Sequence, residues 1–78
     1  MDFQAARQGQ RLVESQVRAD LRQSSYGEVR RVTCTLKEGV LTLSGQVPSY
    51  YLKQIAQRIA LARVDETVTV VNELEVGP

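Results

Sequence analysis

Histidine is absent from these 78 residues. With it go the commonest general base and the commonest neutral-pH metal ligand. Tryptophan is absent too, and cysteine occurs once. One cysteine makes no intrachain disulfide, and with scattered carboxylates it offers no zinc spacing. Gly27, Gly39 and Gly45 each stand singly, so no glycine-rich loop can cradle a phosphate. Asp65-Glu66 is a carboxylate pair in a polar connector, where solvating a turn is its expected role. No apolar run approaches the ~18 residues of a membrane span. Together these absences leave no catalytic constellation. The chain is expected not to be an enzyme and to carry no cofactor and no metal.

Charge of one sign is also lacking in excess. Ten basic and nine acidic residues leave +1, far from the strongly basic balance of a domain that attracts nucleic acid through a global field. An electrostatic partner must therefore be read by a local patch. The apolar share of 42% and charged share of 24% suit a soluble globular domain. A single domain of this size buries roughly 60% of its unfolded surface, enough for one thin two-layer core. The N-terminus has Asp2 where a signal peptide carries bases, and no apolar stretch follows. As it stands, the chain is expected to be cytoplasmic. A chain that begins after a removed signal reads the same, which leaves periplasm or envelope as the alternative.

What is present is organised around Val32 to Val47. Val32, Cys34 and Leu36 alternate with Thr33, Thr35 and Lys37, and Leu41, Leu43, Gly45 and Val47 alternate with Thr42, Ser44 and Gln46. Period two predicts two half-buried strands. Lys37-Glu38-Gly39 is the turn between them, with Gly39 free to take positive φ. Cys34 then falls on the apolar side as a small core residue.

Ahead of the hairpin, a helix is predicted from about Phe3 to about Gln23. Phe3, Ala6, Gln10, Val13, Val17 and Leu21 recur at three- and four-residue steps and share a sector of roughly 80°. Residues 1–11 form an N-terminal extension of that helix or a tail, and 12–76 form the domain proper. Beside the apolar stripe, Arg7, Arg11, Arg18 and Arg22 project within roughly 60° of one another. Glu14 can pair with Arg11 or Arg18. The arginine row is either a solvated face or the basic rim of a helix that meets anionic headgroups or an acidic partner. Ser24 to Glu28 breaks the helix, with Gly27 permitting a reversal and Tyr26 at the core edge or exposed.

Behind the hairpin, Pro48 ends the strand and Ser49 is the natural N-cap of a second helix spanning roughly 50 to 63. Its inward face is Leu52, Ile55, Ala56, Ile59 and Ala60. Of Tyr50 and Tyr51, one is expected to pack and the other to be wet. Thr67 to Val76 is β-branched and alternating, a third strand. Asn72 shares the parity of Val70 and Leu74. It must either cap neighbouring backbone or mark a bulge that turns Val71 inward.

The resulting class is α+β: an αββαβ two-layer sandwich with a three-stranded mixed sheet and two helices packed on one face. The third strand runs parallel to the second, through a crossover. A wholly antiparallel sheet is the alternative. The opposite face would show Arg31, Thr33, Thr35, Thr42, Ser44, Thr69, Glu73 and Glu75. It has no aromatic on which a base could stack, so nucleic acid is not expected.

Gly39-Val40-Leu41-Thr42-Leu43-Ser44-Gly45-Gln46-Val47 resembles the Gly-Val-x-x-Leu-x-Gly-x-Val core of the BON domain, a family named for bacterial osmotically induced periplasmic proteins and nodulation proteins. Val70 to Val76 resembles its closing strand, and Leu12 to Leu21 its opening helix. The resemblance implies a non-enzymatic binding module that attaches to anionic phospholipid or a cell-envelope surface or protein. From the helix wheel, Arg7, Arg11, Arg18 and Arg22 would supply the charge and Phe3 an anchor. The alternatives are a protein-interaction module, pairing through an edge strand or the seam at Phe3, Ala6 and Gln10, and small-ion or small-ligand sensing.

Overall fold

The computed structural model describes residues 3–78, with side chains from Arg11 onward. Helix α1 runs Phe3–Arg22 and buries Val17 and Leu21, with Val13 packed at the margin. A 3₁₀ turn, Val29–Arg31, follows. Strands β1 (Thr33–Lys37) and β2 (Val40–Ser44) form the hairpin. Its loop is the two residues Glu38 (φ 52°) and Gly39 (φ 78°). Positive φ at both positions matches the twist of the flanking strands. A Cβ on Gly39 would stand 3.4 Å from the Thr67 carbonyl oxygen, so glycine there serves both conformation and packing.

The second strand does not run unbroken to Val47. Gly45, at φ 134°, separates β2 from a short β3, Gln46–Val47. The predicted third strand is likewise split, into β4 (Thr69–Asn72) and β5 (Glu75–Val76). The two breaks face each other, and the Glu75 amide donates to the Gly45 carbonyl at 3.0 Å. Strand β2 pairs antiparallel with β1 and parallel with β4, and β3 pairs parallel with β5. The order β1-β2-β4 is the mixed sheet, not the wholly antiparallel alternative.

Register decides which side is covered. Cys34 sits opposite Leu43, Leu36 opposite Leu41, and Leu41 and Leu43 opposite Val70 and Asn72, so these residues share a face. On that face Glu14 of α1 meets the Leu36 amide, while Asn72 meets Lys53 and Gln57 of α2, Tyr50–Leu61. Both helices therefore cover the same side. Leu21, Leu41, Leu43 and Leu74 fill the layer between and are fully buried. Truncating one of them would cost about 2–5 kcal/mol.

Helix α2 begins as its sequence demands. The Ser49 hydroxyl accepts from the Leu52 amide at 3.2 Å, and Leu52, Ala56 and Ala60 are buried. It ends at Leu61, two residues before the expected limit, because Arg63 has another task. Its guanidinium takes both carboxylate oxygens of Asp20, at 2.6 and 3.2 Å. That fork ties α1 to the end of α2 and holds the Asp20 carboxyl below the usual carboxylate range.

Other expectations change. Val32 is not in β1; it closes the 3₁₀ turn by donating to the Val29 carbonyl. Gly27 is not in the left-handed region, which only Gly39 and Gly45 of the described glycines enter. Its missing side chain instead admits the Arg30 guanidinium, 3.3 Å from where a Cβ would be. Neither Tyr50 nor Tyr51 packs into the core. Asn72 takes the first of its two offered roles. Its amide nitrogen donates to the Lys53 carbonyl and to Gln57 Oε1, its oxygen accepts from the Leu74 amide, and Val71 keeps its register against Thr42.

Candidate functional site

The sequence Val29-Arg30-Arg31-Val32 folds as a 3₁₀ turn because it buries both valines three residues apart, where the side chains of such a turn eclipse. The two arginines between are left outside. The C-terminal half of α1 lies alongside and contributes Arg18 and Arg22. These four arginines line one groove of about 360 Å³, whose floor is the edge of the sheet from Val32 to Thr35.

Two of the four are held. Arg18 pairs with Glu14 at 3.3 Å, one helical turn back. Arg30 donates from Nη1 to the Ser24 carbonyl at 2.8 Å. Arg22 and Arg31 have no side-chain partner among the described residues. Each guanidinium carries five donors in a fixed plane, so even Arg18 and Arg30 keep donors for a ligand. Bidentate capture of phosphate or carboxylate is what this geometry can do.

Covalent chemistry is another matter. Cys34 lies under the groove, only 3% exposed. Burial pushes its thiol up, against the pull of Arg18 and Arg22. A thiol held protonated in that way is a poor nucleophile. Among the described residues, no three His, Cys, Asp or Glu groups come together to hold a metal, and no helix is long and apolar enough to cross a membrane.

Of the residues expected to bind, Arg18 and Arg22 enter the groove. Arg11 is exposed but lies outside its lining. The side chains of Phe3 and Arg7, and the seam at Ala6 and Gln10, fall outside the described residues. Arg30 and Arg31 were missed as site residues. Alternation carried back past Val32 put Arg31 on the open sheet face, and the i, i+3 spacing of Val29 and Val32 was the signal that would have corrected it.

The family model of the BON domain matches residues 10–78. This chain belongs to the BON domain family. The match takes in the whole hairpin, both helices from residue 10 onward, and every lining residue of the groove. BON domains are binding modules without catalytic machinery. No curated protein matches the chain.

Proposed function

We propose that this BON domain docks on the anionic phospholipid of a membrane or cell-envelope surface through Arg18, Arg22, Arg30 and Arg31. The convergence of four guanidiniums from two elements on one groove carries this reading. The distribution of acid supports it. The sheet edge opposite the groove bears Glu73 and Glu75, both exposed. A net charge of +1 thus conceals a basic edge and an acidic edge, a polarity that orients the domain as it approaches a negative surface.

Each basic residue near a charged leaflet contributes about 1 kcal/mol. Four give weak, reversible attachment that salt weakens further. Arg11 continues the surface along α1, and the proposal extends to Arg7 and Phe3 ahead of it. Anionic leaflets face the cytoplasm as well as the periplasm, so the reading holds in either compartment.

Assembly through an edge strand is less supported, because a side chain already caps one amide on each edge. Glu14 accepts from the Leu36 amide on β1 at 2.5 Å. Asn72 accepts from the Leu74 amide, which points away from β2 because its neighbours Glu73 and Glu75 donate inward. Co-sedimentation of the full chain with phosphatidylglycerol-containing and pure phosphatidylcholine vesicles at low salt tests the proposal. Binding to the first that fades as salt rises is expected; equal binding to both would refute it.

A further inference from the structure

Tyr26, remote in sequence, meets Tyr51 at the start of α2, where Tyr50 stands next to it in the chain. The Tyr26 and Tyr51 rings meet edge to face, centroids 6.0 Å apart at 82°, and their hydroxyls lie 3.2 Å from each other. Tyr50, in the same first turn of α2, has the Lys53 ammonium over its ring at 5.7 Å. None serves the core: Tyr26, Tyr50 and Tyr51 are 37%, 69% and 56% exposed.

This patch is joined to the arginine groove through Arg30. The Arg30 amide donates to the Tyr26 carbonyl, its guanidinium donates to Ser24, and Ser24 Oγ accepts from the Tyr26 amide. The loop Ser24 to Gly27 therefore links Arg30 of the groove to Tyr26 of the patch.

We infer that Tyr26, Tyr50 and Tyr51 form an anchor that seats in the headgroup layer of an anionic phospholipid bilayer while the adjoining arginines hold its phosphates. The inference rests on the proposed docking and names the part of the surface that enters the membrane interface. Its chemistry fits that layer: each tyrosine presents an apolar ring and a polar tip, the combination enriched where hydrocarbon meets water. Lys53 and Arg30 border the rings with positive charge, the sign the phosphates require. A wholly aqueous partner would gain nothing from three exposed rings, two of them held edge to face.

The chain has no tryptophan, so its intrinsic emission comes from these three residues alone. The full chain is titrated with vesicles of equal parts phosphatidylglycerol and phosphatidylcholine, with acrylamide as aqueous quencher. On binding, acrylamide quenching is expected to fall about twofold, and a Tyr50→Ser/Tyr51→Ser variant to lose about tenfold in vesicle affinity, as expected when two rings no longer leave water. Both positions are exposed, and an unchanged circular dichroism spectrum establishes that the variant is folded. If the chain co-sediments while its tyrosines stay as open to acrylamide as before, and the double variant binds like the parent, the anchor is refuted and the arginine groove stands. If the parent does not bind these vesicles, the docking reading is refuted and the anchor falls with it.

Discussion

The two edges of the sheet solve one problem in the same way and then diverge. An edge strand exposes unpaired amides that invite another chain. On the β1 edge, the Glu14 carboxylate reaches from α1 to the Leu36 amide. On the β4–β5 edge, Asn72 folds back to the Leu74 amide while its own nitrogen is bound to α2. On each edge, then, one amide is capped by a polar side chain tied to the helical layer. Beyond that closure they differ in charge. The β1 edge lies under four arginines, whereas the other carries Glu73 and Glu75. Capping an edge amide and charging the edge are separate features, and only the second distinguishes the face proposed to dock from the other.

That difference can be broken most strongly by reversing charge. Arg22→Glu, Arg30→Glu and Arg31→Glu combined remove about 3 kcal/mol of attraction at about 1 kcal/mol each, before any new repulsion. Affinity for anionic vesicles in co-sedimentation is then expected to fall at least about a hundredfold. Glu73→Lys with Glu75→Lys, on the far edge, is expected to leave affinity within about threefold. A gain from that double change approaching the size of the loss from the triple arginine change would mean that overall charge, not the groove, governs docking.

The closures themselves come next. Asn72→Ala strips the cap from Leu74 and from the α2 carbonyl of Lys53, and should lower unfolding free energy in urea by about 1–3 kcal/mol. Glu14→Ala should cost less, about 1 kcal/mol, because β1 lies nearer to water. It should also speed hydrogen exchange at the Leu36 amide. Comparable exchange at Leu36 in parent and variant would show that the carboxylate does not protect that edge.

The smallest effect concerns the link between the helices. Arg63 holds the Asp20 carboxyl low, so the unfolded chain binds a proton there more readily than the folded one. Stability from this pair is present above the ordinary Asp value, about pH 4, and is lost as pH falls through the lower folded value. A double-mutant cycle of Asp20→Asn with Arg63→Gln should show coupling at neutral pH that vanishes in acid.

Much of this architecture is legible in the order of residues. Alternation in Val32–Val47 marked the hairpin, Ser49 the start of α2, and Val17 and Leu21 the buried stripe of α1, because each depends on neighbours within a turn or a strand pair. Asn72 was recognisable as a buried polar residue in need of a partner, but not the partner, since Lys53 and Gln57 meet it only across the layer. The groove was half legible. Arg18 and Arg22 follow from helical geometry, while Arg30 and Arg31 depended on a 3₁₀ turn that a strand pattern masked.

Local chemistry, then, was enough to specify the elements and the covered face, since propensity, capping and hydrophobic period act over a few residues. Where the strands break, which charges converge and which tyrosines meet was decided only by packing. Those features join positions far apart in the chain, and such distances close only when both helices settle on the same side of the sheet.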